Sequence, residues 1–140
     1  MRLINPFTRI SLEIQYICLL FLSTRIVLTL IGVISHAFLE RGYGKQFSWS
    51  KYLWLDLWGV WDSFWYMDIA QNGYSTAGSI ADNPAQTNFA FFPLYPMLMH
   101  LLGKISGGEY YLAGLFISNG CLLLSCYLLY KLVERSESVV

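Results

Sequence analysis

The sequence predicts an all-α membrane protein: two transmembrane helices joined by a long loop that carries interfacial or re-entrant helices. Three observations predict it. The chain is 56% hydrophobic, 17% aromatic and only 13% charged, against roughly 25% charged in a soluble domain. Two apolar runs, 14–38 and 110–133, are each long enough to cross a bilayer, which takes about 20 residues at 1.5 Å rise. The loop between them is about 70 residues, too long for a plain connection. The net charge is zero and no basic block is present, which excludes nucleic acid as a partner.

In chain order, 1–13 is a polar start with Arg2 and Arg9, and 134–140 is a short tail. The run 14–38 is too long for a signal-peptide core and no small-x-small cleavage site follows it, so it is expected to stay as a helix. Arg25, Thr29, Gly32 and His36 recur at helical steps and share one stripe. Arg25 lies near mid-span. A charge there costs a few kcal/mol, about 2.5–3.5 on insertion scales, unless it faces a protein or wet interior. It either snorkels and packs, or meets a phosphate or carboxylate in a cavity.

The segment 39–109 opens with a polar turn holding Gly42 and Gly44. From Trp49 to Gly73 an amphipathic helix is expected. Trp54, Trp58, Trp61 and Trp65 recur at steps of four, three and four, and Asp56, Asp62 and Asp68 rule out a span. The indoles read as an interfacial belt or as sugar-stacking surfaces. Gly73 ends the helix, and Asp82-Asn83-Pro84 marks a turn. A short helix over 93–105 follows, with Pro93 in its first turn. Leu94, Leu98, Leu101 and Ile105 share one of its faces, and its length suits a buried or re-entrant helix. Ser106-Gly107-Gly108 breaks the chain before the second span. That span has a stripe of small residues, Gly114, Ser118, Cys121 and Ser125, and a costly amide at Asn119. Cys18, Cys121 and Cys126 read as buried small apolar residues. Basic residues are balanced between the flanks and the loop, so charge does not orient the chain.

The chemistry-bearing stretch is Trp61–Tyr74. A carboxylate at a water–membrane boundary can meet a lipid-borne donor and a wet acceptor. On a continuous helix Asp62 and Tyr66 share a face, and Trp58 and Trp65 flank the acid. Asp62 is an exposed acid, a helix-capping acid or a base; Asp68 points elsewhere. Arg25, His100 and Lys104 are the candidate phosphate partners, with a solvated helix face as the plain reading of the last two. No Asp-x-Asp pair, His cluster or metal-ligand spacing occurs, so neither metal nor cofactor is expected.

Taken in order, Trp61-Asp62, Ile69-Ala70, Gly73-Tyr74, Asn88-Phe89-Ala90-Phe91-Phe92-Pro93 and Tyr95-Pro96 resemble the PIG-V type mannosyltransferases, members of the GT-C class of polytopic glycosyltransferases. The resemblance runs from Ser23-Thr24-Arg25 to Ser118-Asn119. It implies that 39–109 is the first extracytoplasmic loop, with helices along the membrane, in a plasma membrane or endoplasmic reticulum enzyme, and that 1–13 and 134–140 are cytoplasmic. It implies a polyprenyl-phosphate sugar donor, a glycan or glycolipid acceptor, inversion, and Asp62 as base. Trp58, Trp61, Trp65 and Tyr66 are the expected sugar-contacting residues. Family members carry more spans, so this chain corresponds to their N-terminal portion, with further transmembrane segments expected from another chain. Trp65 stands where the GPI enzymes carry His, which favours the bacterial branch. Two other readings stay open: a non-catalytic module that binds a lipid-linked sugar or a partner membrane protein, and an inactive fragment.

Overall fold

The computed structural model describes residues 6–39, 48–75 and 87–137, apart from the side chains of 6–11 and 137. Arg2, the turn with Gly42 and Gly44, and the Asp82-Asn83-Pro84 turn lie outside the described residues. Among those described, every element is helical: α1 (Pro6–Phe38), α2 (Leu53–Asp56), α3 (Ser63–Asn72), a 3-10 turn (Asn88–Ala90), α4 (Leu94–Ile105) and α5 (Tyr110–Glu137).

Two stretches, Leu12–Phe38 and Tyr110–Ser136, are long and apolar enough to cross a membrane. Each is 27 residues, about 40 Å of helix against a hydrocarbon core of about 30 Å. Their surfaces point to the same solvent. Leu19, Leu22, Ile26, Leu30 and Ile31 all expose about half or more of their surface. Water does not tolerate so continuous an apolar face, whereas lipid does. Both helices overrun the expected limits, α1 at its start and α5 at its end. Polar residues end a hydrophobic run without ending a helix, because their backbone N–H and C=O groups still pair within it. Lys131 Nζ donates to Glu13 Oε2 at 3.0 Å and to Glu134 Oε2 at 2.8 Å, which sets the start of α1 beside the end of α5. The cysteines are not buried: Cys121 and Cys126 face outward and Cys18 is half-covered. They are small enough to sit anywhere on a lipid-facing helix.

The buried core is small and sits between the loop helices and the first turns of α5. Met67 and Ala70 of α3, Met99 of α4 and Tyr111 of α5 form it. One glycine contact and a glycine turn shape it. Gly103 lies under the Tyr110 ring, where a Cβ would come within 2.2 Å of Cδ1. Gly107 (φ 77°) and Gly108 (φ 101°) then turn the chain between α4 and α5. Gly108 N–H donates to Gly103 O at 2.8 Å and Gly107 N–H to Lys104 O at 3.4 Å, the paired bonds of a Schellman cap. Gly73 (φ 82°) ends α3 in the same left-handed region, as its position in the sequence suggests.

The expected helix over 49–73 is broken. Only α2 and α3 are helical, and residues 57–62 leave the helical path. Asp56 is the cause on one side. Its buried Oδ1 accepts the Trp49 and Ser50 N–H groups, at 2.7 and 3.0 Å, folding 49–50 back over α2. Gly59 is the cause on the other. A Cβ there would lie 2.3 Å from Trp49 Cδ1 and 2.9 Å from Tyr111 Cε2. Trp49 stacks on Tyr111 (6.3 Å, 22°), and Tyr111 OH donates to Leu55 O at 2.8 Å. Gly59→Ala should therefore destabilise the protein by about 1–3 kcal/mol, since two rings must shift for one methyl. An unchanged melting temperature with unchanged near-ultraviolet circular dichroism would refute this packing.

The helix α4 also differs from expectation. Pro93 caps it from outside, and Met97 N–H reaches Pro93 O at 3.0 Å. Its buried face is Pro96, Met99 and Gly103 rather than the leucines. Leu94, Leu101 and Ile105 stay uncovered by the described residues. Small and flexible side chains let α3 and α5 approach closely; a row of leucines would hold them off.

Candidate functional site

The break at 57–62 produces a cavity. With the helix interrupted, Val60–Ser63 forms one rim, and α1, α3, α4 and α5 supply the walls. The cavity measures about 400 Å³. Asp62 and Ser63 face it from the rim, Tyr66 and Met67 from α3, Tyr95 and Met99 from α4, Arg25 from α1, and Tyr111, Gly114, Ser118 and Asn119 from α5.

Asp62 occupies the N-cap position of α3 but its side chain caps nothing. The first N–H of α3 is served by backbone instead: Ser63 N–H donates to Val60 O at 3.2 Å. The carboxylate is exposed and makes no ion pair among the described residues. Of the two plain readings of Asp62, helix-capping is excluded and the exposed acid is what the structure shows.

Trp61 precedes it in a left-handed conformation (φ 54°) with 92% of its surface exposed. For a tryptophan this backbone costs about 1–2 kcal/mol, and no burial of the ring offsets it. The indole and the Asp62 carboxylate both stand at the cavity rim.

Arg25 crosses from the first span. Its guanidinium carbon lies 5.0 Å from the Trp58 ring centroid and 5.2 Å from that of Phe21. Nε is buried and has no hydrogen-bond partner among the described residues. The aromatic faces stabilise the charge, but its N–H donors are not satisfied by them. The Arg25 stripe meets the broken segment at two levels: Arg25 on Trp58, and Gly32 on Leu57, whose Cδ1 would lie 3.1 Å from an added Cβ.

Tyr95 is fitted into the wall by Gly114, where a Cβ would lie 2.9 Å from the phenol oxygen. Ser118 Oγ donates to that oxygen at 3.0 Å, and the Tyr66 ring meets the Tyr95 ring edge-on at 5.0 Å. Asn119 Nδ2 bonds back to Leu115 O at 2.7 Å, which satisfies part of the amide within its own helix.

The structure therefore gathers Arg25, Trp58, Trp61, Asp62 and Tyr66 on one cavity. It does not bring in Trp65, His100 or Lys104. Trp65 stacks on Phe91 (5.7 Å, 22°), because the helix break rotates it away from Trp58. His100 Nδ1 is 2.7 Å from Ala70 O, so that nitrogen carries the proton, and the ring stacks on Tyr110. Lys104 lies exposed near the end of α4. Of the other carboxylates, Asp68 is buried and structural: it accepts from Asn72 at 3.0 Å and from Asn88 at 2.9 Å.

Sequence reasoning missed Tyr95, Ser118 and Tyr111 as cavity residues. The signal lay in α4, where Tyr95, Met99 and Gly103 recur every four residues and mark its inward face. Among the described residues no group of three or more His, Cys, Asp or Glu is placed to hold a metal ion. No family model, curated protein or solved structure matches this chain.

Proposed function

We propose that this chain carries the catalytic base of a membrane glycosyltransferase, one that moves mannose or another hexose from a polyprenyl-phosphate donor to a hydroxyl of a glycan or glycolipid acceptor. The observation that carries this reading is that Asp62 and Arg25 line one aromatic-walled cavity. In the reaction the acceptor oxygen forms a bond to the anomeric carbon from one face. The bond from that carbon to the phosphate oxygen breaks on the other face, inverting the centre. Asp62 takes the hydroxyl proton. The polyprenyl phosphate leaves with the bonding electrons, and Arg25 balances its charge. A base and an anion-stabilising donor are what such a displacement needs. Trp58, Trp61 and Tyr66 offer apolar faces to a sugar ring, and Tyr95 and Ser118 offer hydroxyls. The PIG-V resemblance of the sequence is consistent with this assignment.

The test is transfer of radiolabelled mannose from polyprenyl-phosphate mannose to a panel of lipid-linked glycans. It is run with the chain in bilayer nanodiscs, alone and co-expressed with any adjacently encoded membrane segments. Inverted product is expected. Donor binding without turnover in both preparations would instead identify a passive sugar-lipid module.

A further inference from the structure

The face that α4 turns away from the protein is made of Leu94, Met97, Leu98, Leu101 and Ile105, all exposed. Its polar groups turn the other way: Tyr95 OH accepts from Ser118, and His100 Nδ1 meets Ala70 O. A helix beside water shows the reverse pattern.

The depth of this face follows from the way α4 packs on α5. Gly103 lies under the Tyr110 ring, a Cβ on Gly114 would come within 2.9 Å of Met99 Cε, and Ser118 Oγ reaches Tyr95 OH at 3.0 Å. The two helices therefore run antiparallel in one register, and the start of α4 is level with Ser118. That level is about 12 Å along α5 from Tyr110. A centred span of 27 residues overruns the hydrocarbon by about 5 Å at each end, which leaves the start of α4 about 7 Å inside it. Lys104 and Glu109, the charges of the hairpin, stand at its shallow end. Leu112 and Phe116, which α5 also leaves uncovered, stand at the levels of Leu101 and Met97.

The backbone at the deep end agrees. A helix start leaves four N–H groups without intrahelical partners, and in hydrocarbon no water can serve them. Two of those four positions in α4 are Pro93 and Pro96, which have no N–H to satisfy. The next N–H, that of Met97, is already bonded to Pro93 O at 3.0 Å.

We propose that α4 is a half-membrane helix: it enters one leaflet antiparallel to α5, with Leu94, Met97, Leu101 and Ile105 against the acyl chains of the bulk bilayer and Lys104 at the headgroups. Of the two readings its length allowed, buried or re-entrant, this takes the second and gives it a depth. The Asp62 cavity shares the level of Tyr95 and Ser118, so it lies below the headgroup plane rather than on the outer surface. Arg25, the middle residue of Leu12–Phe38, reaches the same cavity from the other span. The proposal does not depend on sugar transfer.

Nitroxide labels test it on the full chain in phosphatidylcholine bilayers, with Cys18, Cys121 and Cys126 replaced by Ala and one Cys introduced at a time. Leu94→Cys, Met97→Cys, Leu101→Cys and Ile105→Cys carry the label on α4; Leu112→Cys and Phe116→Cys give reference depths on α5. Collision with oxygen, which concentrates in hydrocarbon, and with a neutral nickel chelate, which concentrates in water, reads each depth. Depth is expected to fall steadily from Leu94 to Ile105, by about 16 Å for an upright helix, with Met97 level with Phe116 and Leu101 level with Leu112. Helicity by circular dichroism confirms that the labelled variants fold. On the unsubstituted chain, a carbene precursor carried on phospholipid acyl chains should label Met97 and Leu101 as strongly as Phe116.

Equal depths along α4 overturn the proposal, since the helix then lies flat on the surface. A nickel-dominated signal at Leu94 also overturns it, since that end is then in water. So does exclusion of both reagents from all four α4 labels, or absence of carbene labelling on α4 while Phe116 is labelled, since a protein then covers the face. Sugar transfer is measured separately, and its loss or presence decides none of these outcomes.

Discussion

Asp62→Asn should lower sugar transfer by about 10²–10⁴-fold, the usual contribution of a positioned general base. The amide keeps the shape of the carboxylate and cannot accept a proton. Because Asp62 caps no helix and makes no ion pair among the described residues, the change has little to disturb structurally. The effect should fall on kcat, with donor KM and thermal stability close to wild type. Asp62→Glu should recover part of the rate, since it returns the carboxylate about one methylene out of place. Transfer by Asp62→Asn at the wild-type rate would remove Asp62 from the chemistry. Loss of stability in step with activity would assign it a structural role instead.

Asn88→Leu should destabilise the fold by about 3–5 kcal/mol, since it strands a buried carboxylate and two backbone groups. Asn88 is only 1% exposed. Its Nδ2 donates to Asp68 Oδ2 at 2.9 Å and to Gly73 O at 3.1 Å, and its Oδ1 accepts from Ser75 N–H at 3.1 Å. Leucine has similar volume, so packing changes little while all three bonds vanish. Unfolding of the purified protein in mixed micelles measures the loss. A double-mutant cycle with Asp68→Asn should show a coupling of about 1 kcal/mol or more, because the amide no longer leaves a buried charge. A loss under about 1 kcal/mol for Asn88→Leu would mean that water already reaches the Asp68 carboxylate.

The two spans were legible from hydropathy because the bilayer demands length and apolarity and little else. Gly73 and the Ser106-Gly107-Gly108 break were legible because left-handed backbone selects glycine. The tryptophan spacing misled, since a period of four, three and four is compatible with a helix but does not enforce one. Asp56 supplies what the period omits. By capping Trp49 and Ser50 it competes with the helix, and a local polymer statistic has no means of seeing a carboxylate turn back seven residues. The five residues gathered on the cavity come from α1, the broken segment and α3. Arg25 and Asp62 were each singled out from local environment, but their meeting depends on the break. Tyr95 and Ser118 escaped notice because a phenol beside a leucine row reads as packing until Gly114 is seen to make room for it.

The ion pair at the far end of the spans bears on the order in which the chain assembles. The α4–α5 turn closes through residues only five apart, Gly103 and Gly108. Glu13 and Lys131 are 118 residues apart in sequence. Loop-closure entropy rises with separation, so contacts within the hairpin and its α3 neighbour form at lower entropic cost than those to the first span. By the same argument the contacts of α1, Arg25 on Trp58 at one level and Glu13 on Lys131 at the other, carry the larger closure cost.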